Sequence, residues 1–238
     1  MRPAQRIGWV QHVNGWTDFC GVKIEVDPGV FVPRRRTEFL VQQAAALIQE
    51  GIRPDARTDT EAGPEADSAA DIVVLDLCCG AGAVGAALAS AGRIELHAAD
   101  IDAAAVACAR RNIAPIGGRA YAGDLFTPLP PALRGRVDLI VTNAPYVTSE
   151  ESARLPLDVR LYESRAAFDG GTDGLDLHRR LIPEAAAWLA PGGSLLAELH
   201  PSQTSQAASL LASEGLTPRV STSPSLDSTV ITGMKPPP

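Results

Sequence analysis

Four consecutive residues, Asn143-Ala144-Pro145-Tyr146, carry groups that could hold a planar nitrogen. The side-chain oxygen of Asn143 and the backbone carbonyl of Ala144 are two hydrogen-bond acceptors for the N–H groups of an amide or amine. Pro145 stiffens the segment by fixing its own φ, and Tyr146 offers a flat face for stacking on a planar group. The segment therefore predicts a loop that positions a nitrogen nucleophile, with Asn143 and Tyr146 as its catalytic residues.

A second segment has the residues of a nucleotide-type cofactor site. A buried apolar run ends in Asp76, which begins an Asp-x-x-x-Gly-x-Gly string with glycines at Gly80 and Gly82. Such glycines let the backbone approach a ligand closely. The next predicted strand ends about 20 residues later in Asp100, whose carboxylate can accept hydrogen bonds from both ribose hydroxyls. With Gly85 the string also fits a dinucleotide fingerprint superficially, but Asp76 is more typical of S-adenosylmethionine, whose cationic end it would face.

A third predicted strand leads into Gly123-Asp124-Leu125-Phe126. There Asp124 could accept a hydrogen bond from the adenine amino group, and Leu125 could line the ring. A turn cap is the alternative interpretation of Asp124. The full set of predicted contacts to S-adenosylmethionine, or to its product S-adenosylhomocysteine, is Asp76, Cys78, Gly80, Gly82, Asp100, Ile101, Asp124, Leu125 and Asn143.

Alternating strand and helix patterns position these segments. Strands are predicted at 72–76, 94–100, 119–122, 139–143 and 194–199, followed by two closing strands at 216–221 and 229–233. Helices are predicted at 83–90, 103–112, 175–189 and 203–214, with a turn at Ala190-Pro-Gly-Gly between a helix and the next strand. The sequence therefore predicts an α/β fold with a doubly wound, mostly parallel seven-stranded sheet, which binds ligands at the carboxyl ends of its strands.

The region before this sheet falls into two parts. Residues 1–52 are predicted to form a short lead-in with a hairpin around Cys20–Val26 and a helix capped by Thr37 and ended by Gly51. Residues 53–70 are polar and contain two prolines, so they are predicted to be a flexible linker. The predicted catalytic domain is 71–238.

Composition excludes several classes of protein. The chain has 238 residues, 45% of them hydrophobic, and a net charge of −7, which is unfavourable for nucleic-acid binding. No apolar run approaches the roughly 18 residues of a membrane helix, and no apolar signal segment follows the N-terminal arginines, so a cytoplasmic protein is expected. The four cysteines and four histidines lack metal-ligand spacing, and no metal site is predicted.

Four segments together resemble one known family. The stretch Asn143-Ala-Pro-Tyr146 resembles the Asn-Pro-Pro-Tyr loop of the HemK-like protein-glutamine N5-methyltransferases, which modify peptide-chain release factors. Phe31-Val-Pro-Arg-x-x-Thr-Glu38, Asp169-Gly-Gly-x-Asp-Gly-Leu175 and Leu189-Ala-Pro-Gly-Gly-Ser-Leu-Leu-Ala-Glu198 are similar to three further segments of that family. The resemblance implies a class I S-adenosylmethionine-dependent methyltransferase with a Rossmann-like fold, acting on a side-chain amide of a protein such as a release factor.

Departures from the family pattern keep other acceptors open. The stretch before Phe31 is too short for the helical N-terminal domain that family members usually carry, and Ala144 replaces the first loop proline. A small-molecule amide, amine or other nucleophile is therefore the alternative acceptor. Two further hypotheses, a DNA adenine methyltransferase and a non-catalytic S-adenosylmethionine-binding protein, fit the charge and the intact Asn143 and Tyr146 less well.

Overall fold

The computed structural model describes residues 9–51 and 71–237, so the predicted linker at 53–70 lies outside the described residues. The elements follow one another along the chain as α1 (Trp9–Asn14), β1 (Trp16–Phe19), β2 (Val22–Glu25), α2 (Glu38–Glu50), β3 (Ile72–Leu77), α3 (Ala83–Leu88), β4 (Ile94–Asp100), α4 (Ala103–Ile113), β5 (Arg119–Ala122), β6 (Val137–Thr142), α5 (Ser149–Ser152), α6 (Leu157–Tyr162), α7 (Asp176–Trp188), β7 (Leu189–Leu199), α8 (Thr204–Ser213), β8 (Thr217–Ser223) and β9 (Ser228–Met234).

Seven of these strands form one sheet, in the order β5-β4-β3-β6-β7-β9-β8. The five strands from β3 to β7 pair in parallel, whereas β9 runs antiparallel to both β7 and β8. The predicted doubly wound, mostly parallel seven-stranded sheet is confirmed, including its two closing strands. Because parallel strands end at the same edge of a sheet, the segments that follow β3, β4, β5 and β6 meet there.

Both faces of the sheet are covered. Val74 of β3 packs in a core with buried residues of α2, α3 and α4, whereas its neighbours Val73 and Leu75 pack in a second core with residues of α7 and α8. Successive strand residues point to opposite faces, so a strand covered on both sides is apolar throughout. This is why the buried strands read as continuous apolar runs in the sequence.

Side chains of α4 tie the hairpin β1–β2 to the sheet domain: Arg111 and Cys108 each bond to Glu25, and the amide of Asn112 makes the most contacts. Cys20 and Gly21 both have positive φ and form the two-residue turn, so Cys20 belongs to the turn rather than to a strand as predicted. The Asn112 side chain at the end of α4 accepts the Glu25 N–H at 2.9 Å. It also donates to the carbonyls of Glu25 at 2.9 Å and Ala81 at 2.8 Å. The hairpin is thereby joined to the turn that follows β3.

One further local prediction differs from the structure, and two short helices were not predicted. The Ala190-Pro-Gly-Gly segment is not a turn before a strand but a bulge inside β7, because Val137 pairs with Leu189 and Leu139 already pairs with Ser194. The short helices α5 and α6 are absent from the prediction, although Thr148 and Glu151 form a capping box at the start of α5.

Thr37 precedes α2 as predicted, but its side chain makes no capping hydrogen bond there, and Gly51 ends the helix with a φ of 76°. No helix within residues 9–51 and 71–237 is long and apolar enough to cross a membrane.

Candidate functional site

A cavity of about 530 Å³ lies at the carboxyl ends of β3, β4, β5 and β6, and we call it the first cavity. It brings together eight of the nine residues that the sequence predicts to contact the cofactor. They are Asp76, Cys78, Gly80, Asp100, Ile101, Asp124, Leu125 and Asn143. The ninth, Gly82, does not line the cavity.

Gly82 is required for backbone conformation and packing instead. Its φ is +76°, which L side chains rarely adopt, and a Cβ on it would lie 3.1 Å from both Ala109 Cβ and Ile113 Cγ2 of α4. Gly80 has a φ of +53°, and a Cβ there would meet nothing within 4 Å. The glycine pattern in the sequence therefore combines a residue that faces the cavity with one that packs against a helix.

Asp100 holds the turn after β3 in place. Its Oδ2 accepts the Gly80 N–H at 2.8 Å, and its Oδ1 accepts the Asp102 N–H at 2.9 Å. Burial raises the pKa of Asp100, and these two N–H groups act against that rise. Each carboxylate oxygen has a second lone pair, so the side chain can still accept hydrogen bonds from a ligand in the cavity.

Asp76 is the most deeply buried carboxyl group of the first cavity, with 1% of its surface exposed. Its Oδ2 accepts the Gly85 N–H at 2.9 Å at the start of α3. Burial raises the pKa of Asp76 to about 7, and the nearby charge of Asp100 adds to that rise. A buried carboxylate without a cationic side-chain partner is costly, and a positively charged ligand would offset the cost.

Asp124, a third carboxylate of the first cavity, is already paired. Its Oδ2 accepts a hydrogen bond from Arg180 of α7 at 2.5 Å, and both residues line the first cavity. The next residue, Leu125, has a φ of 47°, and Cys78, which also lines the cavity, has a φ of 55°. Non-glycine residues seldom adopt this conformation and do so preferentially at functional sites.

The predicted acceptor loop, residues 143–146, separates the first cavity from a second cavity of about 480 Å³. Asn143 and Pro145 line both cavities, whereas Ala144 and Tyr146 line only the second. All four residues predicted to bind the acceptor thus line the second cavity, and two of them also line the cofactor-sized first cavity. Asn143 and Pro145 are therefore the loop residues that a group in either cavity could contact.

Two side chains from other elements hold the acceptor loop. Asn143 donates from Nδ2 to the Thr37 hydroxyl at 3.2 Å. Tyr146 donates its hydroxyl proton to Glu198 Oε1 at 2.7 Å. Burial raises the pKa values of both Tyr146 and Glu198, so the tyrosine keeps its proton and remains a donor. Thr37 is a contact that the sequence analysis missed, because its position suggested a helix cap.

The glycine-rich segment from Asp169 to Leu175 packs against the acceptor loop. Gly170 packs so closely that a Cβ on it would lie 2.6 Å from the Pro145 carbonyl oxygen. Gly174 has a φ of +76°, and a Cβ there would collide with the Tyr146 carbonyl and with the Gln203 side chain. Gln203 Nε2 donates to the Tyr146 carbonyl at 2.8 Å. Gly170 and Gly174 are therefore glycines because the acceptor loop occupies the space of a side chain, whereas a Cβ on Gly171 would collide with the Asp176 side chain.

Arg34 forms a partly buried ion pair with Glu163. Arg34 Nη2 lies 2.7 Å from both carboxylate oxygens of Glu163, whose side chain is fully buried. The Val32 N–H also donates to Glu163 at 3.4 Å. The pair fastens the segment before α2 to the segment after α6, and both segments line the second cavity.

Metal-binding groups are not found in the part of the chain that the structure describes: no cluster of three or more His, Cys, Asp or Glu side chains could hold an ion. Cys78 and Cys79 are free thiols beside the first cavity, and burial raises the pKa of each. They are therefore protonated, weakly nucleophilic wall residues.

Comparison with known proteins shows which family the chain resembles. Residues 65–160 match the family model described as the methyltransferase small domain. The chain is 36% identical over 193 residues to a release factor glutamine methyltransferase of Geobacter sulfurreducens, an alignment that covers 80% of this chain and 60% of that protein. Over most of its length the chain resembles the HemK-like protein-glutamine methyltransferases. It is also 38% identical over 186 residues to a ribosomal protein uL3 glutamine methyltransferase of Bradyrhizobium diazoefficiens, covering 75% of this chain and 53% of that protein.

Solved structures agree with the fold of this family. The 16S rRNA N2 G1207 methyltransferase of T. thermophilus, solved in complex with AdoMet and guanosine, superposes with a TM-score of 0.59 at 20% identity. The superposition covers 92% of this chain and 49% of that chain. At this identity the similarity concerns the fold alone, which is that of a class I S-adenosylmethionine-dependent methyltransferase. The chain spans about 60% of the length of the curated relatives that it matches first.

Proposed function

We propose that this chain is an S-adenosylmethionine-dependent N-methyltransferase that acts on the side-chain amide of a protein glutamine. The observation that carries the proposal is the position of the acceptor loop: Asn143 and Pro145 form a wall common to both cavities. A nitrogen held there would lie beside a methyl donor in the first cavity. The names of the curated relatives, which specify glutamine of release factors and of ribosomal protein uL3, support a protein acceptor.

The first cavity fits the proposed cofactor. Its volume of about 530 Å³ lies within the roughly 300–1,000 Å³ of small-molecule sites. Asp76 would face the cationic end of the cofactor, and Asp100 would accept hydrogen bonds from the ribose hydroxyls. Asp124 would accept a hydrogen bond from the adenine amino group in place of the one that it now accepts from Arg180. When bound, S-adenosylmethionine supplies an electrophilic methyl group on a sulfonium.

The loop residues would orient the acceptor. An amide nitrogen is a poor nucleophile because its lone pair is delocalised, so positioning has to supply much of the catalysis. Asn143 Oδ1 and the Ala144 carbonyl would accept the two N–H groups, while the aromatic ring of Tyr146 would pack against the amide plane. The product carries a methyl group in place of one N–H hydrogen, and one proton is released. No covalent enzyme intermediate is required.

Labelled methyl transfer tests this proposal directly. Purified protein, labelled S-adenosylmethionine and candidate acceptors (release factors and ribosomal protein uL3 of the host, beside its small-molecule extract) should give label on one glutamine of a protein. Asn143→Ala should abolish the transfer while calorimetry shows cofactor affinity within about 3-fold of wild type, because the change removes only one of many cofactor contacts. Label confined to the small-molecule extract would refute the protein acceptor, and wild-type turnover in Asn143→Ala would refute the acceptor loop.

Two further proposals accompany the activity. We place the catalytic domain at residues 71–238, preceded by a lead-in and a linker, and we place the protein in the cytoplasm with no nucleic-acid or membrane partner. A small-molecule acceptor on the same core remains the alternative, but no observation in the two cavities favours it over a protein side chain.

A further inference from the structure

The direction in which the Asn143 amide faces decides what the acceptor loop can bind. An asparagine side chain has an acceptor oxygen at one end and a two-proton donor at the other, and the hydrogen-bond network tells which is which. Here Nδ2 faces Thr37 Oγ1 at 3.2 Å. Oδ1 therefore points away from Thr37, and Asn143 lines both cavities.

The Thr37 hydroxyl does not cap the helix that the residue precedes. Its side chain is 2% exposed, and although the residue immediately precedes α2, it makes no capping hydrogen bond to that helix. A capping threonine typically stabilises a helix by about 1 kcal/mol, so α2 lacks a contribution that this residue type can make. The hydroxyl is instead directed at the acceptor loop.

The surroundings of Thr37 favour one direction for its hydroxyl proton. An oxygen that accepts from Asn143 Nδ2 must send its own proton elsewhere, and Glu198, whose buried Oε2 has no hydrogen-bond partner of its own, is the neighbouring carboxylate. The hydroxyls of Tyr146 and Thr37 both favour the charged form of Glu198, against the burial that raises its pKa. A Thr37 hydroxyl whose proton turns toward Glu198 presents only lone pairs to Asn143, and it would then receive the Nδ2 end of the amide.

We propose that Thr37 is a positioning residue that holds the Asn143 amide with its oxygen toward the acceptor nitrogen. The inference rests on the proposed amide-methylating function, and it adds a residue outside the acceptor loop to the groups that this function needs. Without the Thr37 hydroxyl, the Asn143 amide can rotate by about 180° and present Nδ2 to the acceptor N–H groups. Two donors would then face each other, and the acceptor nitrogen would lose its orientation.

Three variants separate the hydroxyl from the shape of the side chain. Thr37→Val keeps the shape and removes the hydroxyl, whereas Thr37→Ser keeps the hydroxyl. Thr229→Val is the matched control, because Thr229 is also buried, at 4% exposure, but lines neither cavity. With the acceptor that wild type methylates, Thr37→Val should lower kcat about 10-fold or more, since misplacement of a reacting group costs up to roughly 100-fold. Thr37→Ser should recover most of this loss, and Thr229→Val should not change kcat.

A second measurement does not depend on activity. In ¹⁵N–¹H spectra, the two protons on Asn143 Nδ2, assigned by their disappearance in Asn143→Ala, should shift in Thr37→Val and remain in place in Thr37→Ser. Unchanged kcat and unchanged Asn143 signals in Thr37→Val would overturn the role of Thr37, as would an equal loss of kcat in Thr37→Val and Thr37→Ser. If wild type methylates no acceptor, the proposed function fails, while the spectra still decide how Asn143 is held.

Discussion

Asp76 makes the stability of this fold depend on pH in an unusual direction. The residue lies at the end of β3, fully enclosed, and its one hydrogen bond comes from the Gly85 N–H. Burial raises its pKa from 3.8 to about 7. Asp76→Asn keeps the shape and the acceptor for Gly85 but removes the ionisation, so we expect the variant to be more stable than wild type at neutral pH when no cofactor is present.

The magnitude follows from linkage between protonation and folding. Because the pKa of Asp76 is higher in the folded than in the unfolded state, the folded protein binds more protons between about pH 4 and pH 7. The contribution of this group to stability is fully present below pH 4 and is lost as the pH rises through 7. At about 1.4 kcal/mol per pH unit, the total loss is about 4 kcal/mol.

Urea denaturation of both proteins at pH values from 4.5 to 8.5 measures the effect. The difference in free energy of unfolding between Asp76→Asn and wild type should grow by about 3 kcal/mol between pH 4.5 and 7 and then level off. Asp71→Asn is a suitable control, because Asp71 forms an exposed surface pair with Arg93 of the kind that contributes at most about 1 kcal/mol.

A constant difference across this pH range would refute the reasoning. It would mean that Asp76 ionises as readily in the folded protein as in the unfolded chain, and that the first cavity gives its carboxylate the solvation of bulk water. The slope is the informative quantity, because a fixed offset could come from any change in packing that the amide introduces.

Three further predictions concern single residues. Asp100→Ala should weaken binding of S-adenosylmethionine about 10-fold or more by calorimetry, because charge-assisted hydrogen bonds contribute roughly 1.5–3 kcal/mol; unchanged affinity would exclude a ribose contact. Burial lowers the pKa of His178 from 6.5 to about 4, so stability present above pH 6.5 is lost as the pH falls toward 4. In urea titrations, His178→Leu should lack about 3 kcal/mol of this acid-induced loss in the free energy of unfolding. The prediction is wrong if the free energy of unfolding falls as steeply with decreasing pH in His178→Leu as in wild type. Gly174→Ala should destabilise the fold by more than about 2 kcal/mol in thermal melts. Gly135→Ala should cost only about 1 kcal/mol, because Gly135 has the same left-handed φ but open space around it. Equal losses of stability in the two variants would show that an added Cβ at Gly174 does not clash with the acceptor loop.

The sequence was sufficient for the sheet and for the positions of the two candidate ligand-binding segments. Apolar runs gave β3 and β6 nearly to the residue, because strands covered on both faces are mostly apolar. The bounds predicted for β4 also agree with the structure. Once those strands are parallel, Asp76, Asp100 and Asn143 must share one edge of the sheet, and the first cavity contains all three.

Local sequence patterns did not predict the contacts between residues that are distant along the chain. Asp124 and Arg180 are 56 residues apart, and Asn143 and Thr37 are 106 apart, so neither contact leaves a periodic signal. Thr37 shows this most clearly. Its residue type and position predict a helix cap, but its hydroxyl makes no capping hydrogen bond and instead accepts one from Asn143. The missed α5 is a different error, because the capping box of Thr148 and Glu151 is visible in the sequence.

The bulge in β7 has a similar cause. Proline and two glycines after Leu189 predict a turn when the segment is considered alone, yet pairing with β6 on one side of it resumes at Ser194. Pairing with the neighbouring strands thus keeps residues 190–193 within β7 as a bulge, although these four residues would end a strand in isolation. The predictions for individual site residues and for the domain boundaries stay predictions until the assays above are made.

The amide of Asn112 has a consequence for any attempt to trim this protein to a minimal enzyme. One side chain satisfies the backbone of the N-terminal hairpin at Glu25 and the carbonyl of Ala81 in the turn after β3. Deleting the hairpin would remove both of the Asn112 contacts to Glu25, and it would uncover the core that Phe19 and Ile24 share with α4. Cutting the chain at the start of β3 would therefore weaken the support of the turn after β3, and the hairpin belongs to the smallest unit worth expressing.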